Sequence, residues 1–175
     1  MDCTSHLSIE EMLRVFAEAR QRPKGSLERV RMLMKLVDDC PSFAPALVDL
    51  GRQIQLLEGP ERTVRGWPSL DDAGGHLATA VAVSSRAVEP LVEWAYFVDV
   101  VQDNAQDAEP LFEEAVNRAR DELEQAWTGL IKVYLERDKI AEAEKAADRA
   151  AMVFPESDNL RDLVEQTRIK RNQGS

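Results

Sequence analysis

The most constraining feature of the sequence is residues 124–155, which predict two amphipathic helices joined by a polar turn. Trp127, Leu130, Ile131 and Tyr134 follow the spacing i, i+3, i+4, i+7, which is the apolar stripe of one helix. A second stripe of the same period contains Ile140, Ala143, Ala147 and Ala150. Pro155 ends the second helix because it has no N–H to donate. The segment therefore predicts an antiparallel helix hairpin.

This hairpin resembles a tetratricopeptide repeat, a helix pair of about 34 residues with the signature W-x2-L-G-x2-Y, A-x3-F and P. The residues that match in register are Trp127, Leu130, Tyr134, Ala143, Ala150 and Pro155. Ile131 replaces the usual glycine and Ala147 the usual aromatic residue. The alternative is an unrelated helical hairpin.

The same rhythm of helix pairs continues upstream. Units are predicted at residues 8–41, at 43–86 with an insertion at 59–72, and at 88–122. A polar helix at 157–171 follows the last pair and is expected to act as a cap, because an uncapped repeat would expose an apolar face. The resemblance implies a single all-α domain covering residues 1–175. It would be a right-handed α-α superhelix, or solenoid, of about four antiparallel helix pairs plus the C-terminal capping helix, with strands almost absent.

The charge balance limits the possible partners. Lys and Arg number 22 and Asp and Glu 32, giving a net charge of −10 and a pI near 4.8. This negative charge argues against nucleic acid and anionic lipid as partners, because both are negatively charged themselves. Residues 87–124 hold eleven acidic and two basic side chains, a net of −9. This cluster either keeps the protein soluble or steers a basic partner towards it.

Cysteine use and hydropathy predict a cytoplasmic protein. Only Cys3 and Cys40 are present, so there is no disulfide framework. The N-terminus has Asp2 where a signal peptide would be basic. No apolar run approaches the ~20 residues that span a bilayer.

Motifs for catalysis, metals and cofactors are not found in the sequence. His6 and His76 are not at metal-ligand spacing from each other. A triad of Ser84, His76 and Asp71 lacks a nucleophile elbow. Residues 103–114 resemble a calcium loop at three positions but lack its third ligand and its glycine. We therefore expect no enzyme activity, no cofactor and no metal.

The resemblance implies that the first helices of the pairs line a concave, peptide-binding surface. Register with the Trp127 unit assigns these partner-binding positions: Asp49, Arg52, Glu93, Trp94, Phe97, Thr128 and Lys132. Trp94, Phe97 and Trp67 are either core residues or exposed anchors for a partner. The Lys/Asn clamp that some family members use for a C-terminal carboxylate is absent.

The predicted function is a non-catalytic protein-protein interaction module, an adaptor or scaffold. It would bind a basic or extended segment of another protein through its concave face. The alternative is a small acidic cytosolic chaperone, or an immunity or antagonist protein for a secreted toxin or effector. The sequence defines neither the identity of the partner nor the oligomeric state.

Overall fold

A computed structural model of the chain describes residues 7–57 and 66–173, except the side chain of Gln173. These residues form eight α-helices and no strand. The helices are α1 (Ile9–Gln21), α2 (Leu27–Asp39), α3 (Ala44–Gln55), α4 (Leu70–Val83), α5 (Val88–Tyr96), α6 (Ala105–Glu136), α7 (Ile140–Val153) and α8 (Asp158–Gln173). The predicted all-α helical-repeat fold is confirmed. Cys3, His6 and residues 59–65 of the predicted insertion lie outside the described residues.

Serine side chains define where several helices begin. The hydroxyl of Ser8 accepts the Glu11 N–H at 3.2 Å, while the Glu11 carboxylate accepts the Ser8 N–H at 2.9 Å. Ser69 and Asp72 form the same reciprocal pair at the start of α4. These hydrogen bonds from Ser69 hold the pKa of Asp72 below its usual value. Each of these reciprocal pairs, called a capping box, gives an acceptor to two backbone N–H groups at the start of the helix that would otherwise lack one.

The chain divides into two compact units, Met1–Ala115 and Val116–Ser175. In the first unit, α3 and α4 pack closely because Gly51 has no side chain. A Cβ atom on Gly51 would lie 2.7 Å from Cγ of Leu77 and 3.1 Å from the carbonyl oxygen of Ala73. Leu33, Leu47 and other fully buried residues of α2, α3 and α4 form the core around this contact.

A π-helical segment, Phe97–Val101, follows α5 and was not predicted from the sequence. It places two consecutive side chains, Phe97 and Val98, in the interior. Gly74 of α4 makes room for the Phe97 ring, since a Cβ atom there would lie 2.7 Å from the ring. The irregular turn thus delivers an aromatic ring to the core of the first unit.

Helix α6 runs without a break through the predicted boundary between residues 122 and 124. The second helix predicted for the third pair and the first helix predicted for the fourth pair are therefore one continuous helix. The physical reason is local: residues 116–126 contain neither glycine nor proline, and most of them favour helix. The predicted single domain stays a prediction.

The second unit has a small core made by α6, α7 and α8. Ile131 and Leu135 of α6 pack with four alanines of α7, and Trp127 and Tyr134 are partly buried against this cluster. The buried residues of α7 are Ala143, Ala146, Ala147 and Ala150. Leu130, which the sequence placed in the same apolar stripe, is 40% exposed because it lies at the edge of the covered face.

Helix α8 covers this core as the predicted cap. Leu160, Leu163 and Thr167 are buried, and Val164 packs against the cluster. The ammonium group of Lys170 donates to the carbonyl oxygen of Leu135 at 3.0 Å.

Candidate functional site

The first unit contains a cleft of about 530 Å³. Most of its lining comes from α1, α3 and α5, which are the first helices of three successive pairs. The lining residues are Phe16, Arg20, Lys24, Arg29, Pro45, Asp49, Arg52, Gln53, Gln55, Leu56, Glu89 and Glu93. Three of the residues assigned from the sequence, Asp49, Arg52 and Glu93, therefore lie on one surface.

A buried ion pair forms the floor of this cleft. The Nη2 atom of Arg29 donates to both carboxylate oxygens of Asp49, at 2.9 and 2.8 Å. Both residues are only 6% exposed. The amide of Gln53 donates to Asp49 Oδ1 at 2.9 Å and accepts the Gly25 N–H at 2.8 Å. The charge of the Asp49 carboxylate is therefore neutralised within the protein by the Arg29 guanidinium.

Arg52 lies between two acidic side chains of α5. Its Nη2 atom donates to Glu93 at 2.7 Å and to Glu89 at 3.0 Å. The hydrogen bond with Glu93 is the largest cause of the raised pKa of Arg52. Two carboxylates share one guanidinium, so this end of the cleft keeps an excess negative charge.

Basic side chains lie towards the α1 end of the cleft. Arg20 is exposed, with its guanidinium carbon 5.8 Å from the ring centre of Phe16. Lys24 lies in the turn between α1 and α2 and also lines the cleft. Apolar surface is supplied by Phe16, Pro45 and Leu56. The cleft thus has an acidic end, a basic end and apolar contacts.

The aromatic residues that the sequence left between two roles pack into the first unit. Phe97 is 3% exposed, and its ring stacks on Trp94 with centres 5.6 Å apart and planes 12° apart. Trp94 is partly buried against the core. Trp67 also packs on the core, with the Arg31 guanidinium carbon 5.0 Å from its ring centre. The structure therefore places Phe97 in the interior, and Trp67 holds its loop against the helices.

Thr128 and Lys132 lie in the second unit, where they line another cleft of about 410 Å³. The other lining residues are Asp121, Glu124, Gln125, Gly129 and Asn159. The hydroxyl oxygen of Thr128 is buried and makes no hydrogen bond with the described residues. The partner-binding roles of all seven assigned residues stay predictions.

The sequence reasoning missed Arg29, Gln53, Arg20 and Lys24. Arg29 had a usable signal: it precedes Leu33 and Leu36 by four and seven residues, which is a core position of α2. A charge at such a position requires a buried partner. Arg20 and Lys24 carried no comparable signal, because exposed basic residues near a helix end are common.

Ser84 and His76, which were considered for a catalytic triad, each interact with other groups. The Ser84 hydroxyl, just after the end of α4, donates to the Val81 carbonyl oxygen at 3.2 Å. Partial burial is the main cause that lowers the pKa of His76, and the charges of Asp72 and Asp38 oppose it. Within residues 7–57 and 66–173, no three His, Cys, Asp or Glu side chains are grouped as metal ligands. Over the same residues, no helix combines the length and apolar character needed to cross a membrane.

Comparison with known proteins gives two similarities. Residues 4–85 match the Myxococcota tetratricopeptide repeat protein family. An uncharacterized 18.1 kDa protein in the carS 3′ region of Myxococcus xanthus is 29% identical over 161 residues, which are 92% of this chain and 94% of that protein. The family match falls on the first two helix pairs, where the signature residues are fewest, and not on the Trp127 unit.

Proposed function

Because this chain is a tetratricopeptide-like repeat protein, and such repeats are in general protein-interaction modules, we propose that it binds an extended segment of a partner protein in the cleft of the first unit. The observation that carries the proposal is that α1, α3 and α5 supply most of the residues that line this one cleft. First helices that curve around a shared groove form the binding surface of such repeats.

The charges of the cleft support a segment with a basic side chain. Glu89 and Glu93 together carry two negative charges against the single positive charge of Arg52. A lysine or arginine of the partner would neutralise the remaining negative charge. At the other end, Arg20 and Lys24 favour a carboxylate of the same segment. Specificity would come from this arrangement of opposite charges.

The acidic region at residues 87–124 supports the same assignment. It includes both cleft carboxylates of α5 and holds a net charge of −9. A concentrated negative potential raises the rate of encounter with a positive partner, within a Debye length of about 8 Å at physiological ionic strength. We therefore expect salt to slow association.

We propose a binding role without catalysis, since the tetratricopeptide family is generally non-catalytic. A cytoplasmic location agrees with the free thiol of Cys40. The chaperone or antagonist alternative rests on acidic charge alone, so the adaptor role is the better supported proposal.

A selection from a random peptide library displayed on phage tests this function. The selected peptide is synthesised with a fluorophore, and its affinity is measured for the wild type and three variants. Glu89→Lys and Arg20→Glu change the two ends of the cleft. Glu113→Lys is the matched control, because it makes the same charge change at an exposed position of α6. Glu89 is changed rather than Glu93 because its side chain is the more exposed of the two, at 66% against 23%, and its hydrogen bond with Arg52 is the longer one.

We expect enriched peptides with a basic residue, and a loss of affinity of at least about 10-fold for Glu89→Lys. Glu113→Lys should stay within about 3-fold of the wild type. If no peptide is enriched, the interaction function is wrong. If peptides bind equally well to both cleft variants, the interaction occurs elsewhere on the protein.

A further inference from the structure

Helix α6 carries an exposed apolar stripe that the binding cleft does not use. Val116 is 66% exposed, Leu123 46%, Leu130 40% and Val133 46%. Two exposed alanines, Ala119 and Ala126, complete the series. The six residues alternate spacings of three and four, which is the a and d pattern of a helix that packs along another helix. All of them belong to the second unit.

The stripe borders the covered face of α6 at Leu130 but is centred on a different side of the helix. Ile131 and Leu135 face the core formed with α7 and α8. At about 100° per residue, the centre of the stripe lies roughly a third of a turn from Ile131 and Leu135. The stripe stays exposed while α7 and α8 cover Ile131 and Leu135.

The stripe is complementary to itself in the antiparallel direction. With the two-fold axis between positions 124 and 125, Val116 lies opposite Val133 of a second copy, and Ala119 lies opposite its Leu130. Leu123 lies opposite the second copy's Ala126. Each large side chain therefore meets a small one, and the two valines meet each other. Each pair of opposed side chains forms one layer of the contact, and every layer contains five or six side-chain carbons.

A parallel pair would not fill its layers in this way. Leu123 would then meet Leu123, and Ala119 would meet Ala119, so layers of eight and two side-chain carbons would alternate. Alanine layers of that kind leave gaps, and helix interfaces with gaps lose contact energy. The size pattern thus favours the antiparallel arrangement.

The charged flanks of α6 also permit the antiparallel pair. In that register Glu122 lies beside Gly129 of the second copy, and Arg120 lies beside its Trp127. The acidic side chains next to the stripe thus avoid one another, which matters in a chain with a net charge of −10.

We propose that two copies of this protein associate through residues 116–133 of α6 as an antiparallel two-fold pair. The contact is about 26 Å long at 1.5 Å per residue. A single helix pair of that length lies at the low end of specific interfaces, near 1,000 Å² in total. The dimer therefore dissociates on dilution. This association does not depend on the proposed peptide binding, because it uses a different unit.

Cysteine cross-linking of the full chain tests the register. Ala119→Cys and Leu130→Cys are made separately, with Cys3 and Cys40 changed to serine. In the antiparallel pair, position 119 faces position 130 of the other copy, while equal positions lie about 16 Å apart along the axis. A mixture of the two variants should form a disulfide-linked dimer under mild oxidation, and each variant alone should not. Gln125→Cys, on an exposed polar face, is the control.

Analytical ultracentrifugation from 10 to 500 µM, concentrations chosen for the experiment, measures the dimer directly. Leu123→Glu should raise the dissociation constant at least about 100-fold, because two carboxylates would be buried without partners. Met152→Glu makes the same kind of change at an exposed apolar side chain outside the stripe and should leave the constant unchanged. Circular dichroism confirms that both variants fold. A wild type that stays monomeric throughout this range overturns the proposal, and cross-links within each single variant overturn the antiparallel register.

Discussion

The buried pair of Arg29 and Asp49 yields a prediction that tests how the cleft is built. Asp49→Leu leaves the Arg29 guanidinium buried without a carboxylate, and Arg29→Met leaves Asp49 with only the hydrogen bond from Gln53. The two side chains are 7% and 9% exposed, so water does not replace the missing partner.

The expected magnitudes follow from that burial. Removing one member of a buried ion pair lowers the free energy of unfolding by about 3–5 kcal/mol. That loss is a large part of a typical total of about 5–15 kcal/mol. The double variant Arg29→Met/Asp49→Leu has no unpaired charge and should return to within about 2 kcal/mol of the wild type, since the remaining losses are the acceptor of Gln53 and the donor to the Arg22 carbonyl. The coupling between the two positions is then at least about 4 kcal/mol.

Urea unfolding followed by tryptophan fluorescence measures these values. Trp67 and Trp94 lie in the first unit and Trp127 in the second, so all variants carry Trp127→Phe and the signal reports the first unit. Glu18→Ala is the control, because its pair with Arg14 is exposed and should contribute less than about 0.5 kcal/mol. A coupling below about 1 kcal/mol would refute the reasoning, because it would mean that water screens the pair.

Three other predictions concern helix packing, pH and the second core. Gly74→Ala should destabilise the protein by about 1–3 kcal/mol, since its Cβ would collide with Phe97, whereas Gly75→Ala meets open space and should stabilise it by up to about 1 kcal/mol in the same urea assay. Because burial lowers the pKa of His76, its contribution is full above its ordinary pKa of 6.5 and is lost as pH falls towards the lowered value. Unfolding measured at pH 7 and pH 5 should show a larger loss for the wild type than for His76→Gln, and equal losses would contradict the assignment. Trp127→Ala should lower the free energy of unfolding of the second unit by about 3 kcal/mol, measured by circular dichroism; an unchanged midpoint would show that this indole does not support the core.

Helices were the part of the fold that the sequence predicted best. The helix pair predicted at residues 8–41 corresponds to α1 and α2, which occupy Ile9–Gln21 and Leu27–Asp39. The capping helix predicted at 157–171 likewise corresponds to α8, which buries Leu160 and Leu163. Such features depend on neighbours a few residues apart, so one sequence contains enough information to find them.

Features that depend on distant contacts were harder to predict. The turn expected near residues 122–124 came from applying a repeat length to a segment that lacks glycine and proline. The π-helical turn at Phe97–Val101 depends on the space at Gly74, more than twenty residues earlier in the chain. In the candidate site, Asp49, Arg52 and Glu93 were assigned from register. Their partners depend on how α2, α3 and α5 pack.

The four buried alanines of α7 also decide how the second unit tolerates change. Alanine has no side-chain rotamers to lose, so fixing α7 against its neighbours has little side-chain entropy cost. Each alanine also buries little surface, which leaves Ile131, Leu160 and the other large residues of the cluster to supply most of the hydrophobic stabilisation. A larger side chain at any of these four positions would push the helices apart. In the evolution of such sequences, these four positions should therefore stay small while the solvent side of α7 varies freely.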